Sequence, residues 1–422
     1  MPLTTSYHAE LSSAAEQHLP AFVSARMDEH YIERIEKLLG GEHLHKWHAP
    51  GPDAIYLSSN DYLCIAGEPV LIEAQAACLK RGEVDLLMST VFLQEGSPQH
   101  RLEQKMANFM GSEDGLITQS GWSANVGLMQ SIAEPGVPVY LDMQAHASLW
   151  EGVNSGQARA VPFLHNETEH LRRQVQKHGA GVIVVDALYS TNGSVCPLHE
   201  ILAVAEDSGS ILVVDESHSL GTHGPEGAGL VAQMGLSERV HFRTASLAKA
   251  FSGRAGFITC SHKFKGYFLS TSRPAIFSSC LLGHELAWFD AALDFIRAAD
   301  DRRQALHRNA HRLRTELSAL GYNVSDGSEQ IIALEAGTEP MTLVLRKALE
   351  AEGIFGAVFC APATPKNRSL VRLTINSGLT EVEIQRIVQA CANIRENVRL
   401  ADWSSSRRKV VVPRQAGVSV ST

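Results

Sequence analysis

The chain has 422 residues, of which 44% are hydrophobic and 20% charged, the balance of a globular protein with more than one core. A formal net charge of -9 argues against a nucleic-acid or anionic-membrane partner, either of which would call for a basic surface. Seven cysteines, scattered and never in a Cys-x-x-Cys pair, read as reduced thiols rather than as a disulfide framework or a zinc site. No signal-peptide pattern opens the sequence, and the apolar runs Val182–Val185 and Ile211–Val214 are too short to span a bilayer, so a cytoplasmic protein is expected.

From the N-terminus, Phe22, Met27, Tyr31, Ile35, Leu38 and Leu39 carry helical periodicity that stops at Gly40-Gly41, a helix-ending signal. This arm has a polar back face and should pack on something larger. A loop around Pro50-Gly51-Pro52 leads to Ile55–Ser58 and the turn-rich Ser59-Asn60-Asp61-Tyr62. Short apolar strands then alternate with helices. The predicted strands are Gly115–Thr118, Val137–Asp142, Val182–Ala187, Ile211–Asp215, His241–Ser246 and Gly256–Cys260, with helices at Ser123–Ile132 and near Ala147–Ser155. Nearly continuous apolar strands separated by helices predict a mainly parallel sheet covered on both faces, a doubly wound α/β domain. Past residue 285 come helices Glu285–Ala299 and Arg302–Leu320. They feed a smaller α+β unit built from Gln330–Glu335, Met341–Glu352, Ile354–Phe359, Leu370–Asn376 and Glu381–Glu396. The expected division is an arm and loop (1–60), a large domain (61–296), a small C-terminal domain (297–403) and a mobile tail (404–422) rich in Ser and basic residues.

Four segments at predicted strand ends carry chemistry, where open α/β sheets place ligands. Asp215 leaves a buried strand, and an acid there needs a positive partner; a protonated pyridine nitrogen is one, and His218 is placed to bond a phenolate oxygen. The alternative is a helix-capping Asp beside a solvated His. Lys249 follows a strand in the small-residue run Thr244–Ala248, where an amine can form a Schiff base and the Thr244 and Ser246 hydroxyls can reach a phosphate. The alternative is an ordinary loop lysine. Ser120, Gly121 and Trp122 sit at a strand-to-helix turn whose free N–H groups suit a phosphate, or make a plain turn. His146 can stack on an aromatic cofactor, or simply pack or cap a helix.

Together these residues resemble the α-oxoamine synthase family of fold-type I enzymes dependent on pyridoxal 5'-phosphate (PLP), over about residues 55–395. The resemblance implies a homodimer with shared active sites. Lys249 matches the Schiff-base lysine, Asp215 the pyridine-nitrogen partner, His218 the phenolate partner and His146 the ring-stacking histidine, with Lys249, His146 and His218 in catalysis. Ser120, Gly121, Trp122 and Ser246 match the phosphate site, Ser190 the serine near the ring, and Ser279 a phosphate ligand given by the neighbouring subunit. Arg372 matches the arginine that grips the substrate carboxylate, and Asn60 the asparagine of the loop leading into the site. Within the family, His146–Gly152, Asp215–Pro225 and Pro274–Ser279 are similar to the Vibrio-type α-hydroxyketone autoinducer synthases. That similarity implies condensation of a small amino acid-type substrate (2-aminobutyrate or S-adenosylmethionine-like) with a medium-chain acyl-CoA, with loss of carbon dioxide, to an α-aminoketone used in quorum sensing.

The sequence also departs from the family. Ala245 and Ala248 replace glycines, Leu86–Leu93 replaces a glycine-rich segment and reads as either substrate lining or core, and Asn376-Ser377-Gly378 replaces a histidine after the arginine strand. Rival readings are a housekeeping synthase of the aminooxononanoate or aminoketobutyrate type, an aminotransferase of the same fold, and a non-catalytic partner subunit, which the retained Lys249, Asp215, His218 and His146 disfavour. His43, His45 and His48 lack an acidic or thiol partner nearby, so no metal is expected; Arg302, Arg303, Arg312 and Arg314 read as a solvated helix face.

Overall fold

β-branched and other apolar residues at strand centres, screened on both sides by helices, organise the large sheet. The computed structural model describes residues 19–45, 49–82 and 86–410. Its strands are β1 (Ile55–Leu57), β2 (Asp114–Thr118), β3 (Pro138–Asp142), β4 (Arg159–Phe163), β5 (Val182–Asp186), β6 (Ile211–Asp215), β7 (Phe242–Ser246), β8 (Gly256–Cys260), β9 (Ile331–Gly337), β10 (Ile354–Phe359) and β11 (Ser369–Thr374).

Seven strands pair in the order β2-β8-β7-β6-β5-β3-β4. The run from β4 to β7 is parallel, while β8 runs antiparallel to both β7 and β2. Strands β2, β3, β5 and β8 are buried along their whole length, the pattern of a sheet covered on both faces. β4 was not predicted. It is an edge strand with alternate exposure and a proline at Pro162, so its apolar content is too thin to show in the sequence.

The second sheet has the order β1-β10-β11-β9. β1 pairs in parallel with β10, Ile55 opposite Ile354. The N-terminal segment therefore completes the small sheet. Ile35, Leu39, Leu44, Ile55 and Leu57 share one core with Leu313, Ile332, Ile354 and Leu373. Arg34 ties the arm down further through a bidentate pair with Glu339 (2.9 and 3.0 Å).

Three expectations need correction. Arg302, Arg303 and Arg314 do not form a solvated face. Arg314 is buried and donates to the carbonyls of Val324, Gly327 and Glu329 (2.9, 2.9 and 2.8 Å) and to that of Ile331, so its fork pins the segment leading into β9. Burial pushes its pKa down to about 10. Arg302 donates to the carbonyls of Leu63 and Cys64 (2.9 and 3.0 Å), and Arg303 to that of Ile296 (2.5 Å). The start of the expected tail is packed: Ser405 is buried, its hydroxyl donates to the Glu335 carbonyl (2.8 Å), and Arg408 pairs with Asp326 (2.8 Å) and with Glu335. Residues 411–422 lie outside the described residues. Finally, Leu86–Leu93 is not core: Leu87 is 72% exposed, and Met88 and Phe92 are exposed with it.

Candidate active site

Parallel strands deliver their last residues to one edge of the sheet, and there Asp186 lies opposite Asp215 and Asp215 opposite Thr244 in register. Asp215 is buried, yet both oxygens have partners: Asn125 Nδ2 donates to Oδ2 (2.7 Å) and the Ser217 N–H to Oδ1 (2.8 Å). Neutral donors leave the carboxylate's charge free to meet a cation above it. Burial and the neighbouring Asp215 carboxylate push the Asp186 carboxyl well above its ordinary range.

Asn125 is the hub that sequence reasoning missed. The same Nδ2 donates to Ser148 Oγ (2.8 Å), while Oδ1 accepts from Thr244 Oγ1 (2.6 Å). The Thr244 hydroxyl is therefore spent beneath the site and does not face a phosphate, contrary to the expectation. Ser148 in turn meets His146 Nδ1 (2.7 Å). His146 also caps the helix Ala147–Ser155 by accepting from the Ser148 N–H (3.3 Å), which leaves its ring beside Trp122 edge-on, centroids 6.3 Å apart. Capping and a place in the site are thus both true of this histidine.

His218 is buried, and its Nδ1 lies 2.6 Å from the Tyr62 hydroxyl. Burial, reinforced by the charges of Lys249 and Arg372, holds its pKa well below the ordinary value, so the ring is neutral near pH 7. His146 is lowered by burial too, against the pull of Asp215. The Lys249 side-chain amine makes no hydrogen bond or ion pair among the described residues, and burial and Arg372 lower its pKa while Asp215 opposes them.

Ser120, Gly121, Trp122 and Ser246 come together. Gly121 opens the helix Gly121–Ile132, and a Cβ there would stand 2.5 Å from Ser246 Cβ, so only glycine lets the helix start approach β7. Ser120 caps that helix by accepting from the Ser123 N–H (3.1 Å). Ser279 lies near, its carbonyl accepting from Gln119 Nε2 (2.6 Å).

Arg372 comes from the small sheet. Nη1 donates to the Ser190 carbonyl (2.8 Å), Nη2 to Asn60 Oδ1 (2.9 Å), and the guanidinium lies 4.6 Å from the Phe359 ring centre. Its buried Nε has no partner among the described residues. Asn60 thus touches Arg372, and its role runs through that arginine. Tyr62 and Phe359 also escaped the sequence reading, since each acts through a neighbour distant in sequence.

A cavity of about 1010 Å³ adjoins this cluster, and its lining includes Trp122, His146 and Ser190, the apolar Trp150, Val324 and Phe359, and the basic Arg368 and Arg408. Of the expected histidine cluster, His45 Nε2 meets Cys360 Sγ (3.5 Å), His43 offers its carbonyl to Arg346 (3.1 Å), and His48 lies outside the described residues.

These residues fit PLP. A free lysine amine, a buried carboxylate with neutral donors, a helix start open at Gly121 and an arginine with a spare buried N–H are the groups its aldehyde, pyridine nitrogen, phosphate and substrate carboxylate require. Comparison with known proteins agrees. The family model for aminotransferase class I and II matches residues 52–391. The CAI-1 autoinducer synthase of Vibrio campbellii is 43% identical over 88% of this chain and 95% of its own. An 8-amino-7-oxononanoate synthase of Trichlorobacter lovleyi is 32% identical over 82% and 89%. The solved serine palmitoyltransferase of S. paucimobilis with PLP and myriocin superposes with a TM-score of 0.82 at 25% identity, over 89% of this chain and 99% of that one. Among the described residues no helix is long and apolar enough to cross a membrane. The chain belongs to the aminotransferase class I and II family and, within it, to the PLP-dependent acyltransferases of the α-oxoamine synthase type.

Proposed function

We propose that the chain condenses a small amino acid-type substrate with a medium-chain acyl-CoA, with loss of carbon dioxide, to give the α-aminoketone precursor of an α-hydroxyketone autoinducer. The cavity carries this reading. Its lining joins His146 and Ser190 to the apolar side chains of Trp122, Trp150, Val324 and Phe359, and its volume of about 1010 Å³ can take a substrate larger than an amino acid. The similarity to the autoinducer synthase of Vibrio campbellii supports the same product class.

Bound PLP supplies an electron sink for the negative charge that develops at the substrate's α-carbon. The protein's residues do the rest. Arg372, fixed by Asn60 and Ser190, takes the substrate carboxylate through its remaining N–H groups. Lys249 would hold the cofactor and would take the α-proton on Nζ; burial and Arg372 lower the pKa of that amine, which favours its neutral, proton-accepting form. Asp215 would face the cofactor's ring nitrogen, with Asn125 and the Ser217 N–H fixing its plane. Neutral His218, oriented by Tyr62, bonds the cofactor's ring oxygen. His146 offers a hydrogen bond to the oxyanion that forms when the acyl carbonyl is attacked. Ser120, Gly121, Trp122 and Ser246 hold the phosphate, and Ser279 is given to it by a second copy in a homodimer. An apolar surface of Leu87, Met88, Phe92 and the 81% exposed Phe277 surrounds Ser279, as a subunit contact requires.

Borohydride reduction of the purified protein, followed by peptide mapping, tests the cofactor assignment. A pyridoxyl group on Lys249 is the expected result, together with its loss in Lys249→Ala. Covalent PLP surviving in Lys249→Ala would refute it.

A further inference from the structure

The geometry points to a divalent-metal site of the zinc class, formed by His223, His307 and Glu329, outside the PLP site. The three come from different parts of the fold. His223 lies in the loop after β6, His307 in the helix Asp300–Ala319, and Glu329 in the segment before β9. One donor atom from each lies within 4.8 Å of the others. His223 Nε2 is 3.1 Å from Glu329 Oε2 and His307 Nδ1 is 3.7 Å from the same oxygen. Edges of about 3.3 Å are what a tetrahedral zinc with bonds near 2.0–2.1 Å imposes.

The surrounding hydrogen bonds decide which ring nitrogens face inward. The Thr222 hydroxyl spends its proton on the Ser219 or His218 carbonyl (3.0 and 3.2 Å), so it accepts from His223 Nδ1 (2.9 Å). His307 Nε2 donates to the Thr222 carbonyl (2.9 Å). Each imidazole therefore gives its other N–H to an oxygen and turns the remaining nitrogen toward Glu329. That is the outer-shell arrangement of metal-bound histidine, which fixes both tautomer and ring plane. Glu329 Oε1 accepts from the Ser328 hydroxyl (2.9 Å), and Oε2 is the oxygen that faces the two rings. Two nitrogen lone pairs and a carboxylate oxygen at this range repel one another unless a positive charge lies between them. A metal satisfies all three at once; a proton on His223 Nε2 satisfies only one pair.

Side-chain exposures of 1% and 10% for His223 and Glu329 shield the site, while the 38% exposed His307 leaves one side open for a water in the fourth position. Bound there, the metal staples the loop that carries His218 to the small sheet, next to Gln330, whose Nε2 donates to the His218 carbonyl (2.8 Å).

Tag-free holoenzyme, equilibrated with buffered micromolar free zinc and desalted, is assayed for metal by plasma mass spectrometry. The expected result is about one zinc per chain, lost in His307→Ala while the visible absorbance of bound PLP is unchanged. Should that variant be recovered without PLP, the isosteric Glu329→Gln is measured instead and is expected to show the same loss. Wild-type protein without zinc, or a PLP-loaded variant that retains the wild-type amount, overturns the proposal; the first result would leave a His223–Glu329 hydrogen bond in its place.

Discussion

Arg372 is positioned before any substrate arrives: a carbonyl on one amino group, Asn60 on the other and Phe359 against its face leave the free N–H groups no choice of direction. A lysine cannot reproduce two directed bonds and a stacked plane. Arg372→Lys is expected to cost about 2 kcal/mol of substrate binding, roughly thirtyfold in KM for the amino substrate, with a smaller change for the acyl-CoA. Steady-state kinetics with each substrate varied in turn checks this; equal effects on both would remove Arg372 from the carboxylate. Asp215, which ends β6, and Lys249, which follows β7, were singled out in the sequence because an acid and an amine after buried apolar runs have no ordinary reason to be there. Asn125 and Tyr62 were not. Asn125 sits within a helix of small and apolar residues, and its partners Asp215, Ser148 and Thr244 become neighbours only once strands pair. Tyr62 looked like a turn residue until folding set its hydroxyl on His218.

At the scale of elements, apolar periodicity announced most of the large sheet and the small α+β unit, and it failed where polar side chains hold structure together. Arg302, Arg303 and Arg314 looked solvated because their carbonyl partners are invisible in a sequence pattern, whereas the Arg312 side chain of the same helix is exposed as expected. Ser404–Arg408 looked loose for the same reason, although it is tied to Glu335 on β9. Burial alone would raise the Glu335 pKa, but bonds from Arg408, Arg368 and Ser404 outweigh it and hold the carboxyl below its ordinary 4.5. A lowered folded-state value stabilises the protein above the unfolded value, and that contribution is lost as pH falls through the folded one. Glu335→Gln is expected to lose about 2 kcal/mol at pH 7, with the gap to wild type closing below about pH 4. Denaturant midpoints across that range measure it, and a gap independent of pH would contradict the ion-pair account.

For the whole molecule, the sheets meet so that Arg372 and Asn60 from one side face Asp215, His218 and Lys249 on the other, and the cavity lined by Trp122 and His146 adjoins them. Phe277 and Leu87 are exposed apolar side chains, and the proposed homodimer would cover them. Light scattering should give twice the 45.9 kDa chain mass for wild type. Phe277→Asp is expected to give monomers that lose PLP on gel filtration; a monomeric wild type with full activity would rule the shared site out.

The central claim, acyl transfer onto a decarboxylating amino acid, is tested most directly by incubating the holoenzyme with an amino acid-type substrate and a medium-chain acyl-CoA. Free CoA thiol, carbon dioxide and product mass are then followed together. The account predicts CoA and carbon dioxide released in equal amounts with an α-aminoketone carrying the acyl chain. A 2-oxo acid formed without CoA release, or turnover confined to short acyl-CoA, would contradict it.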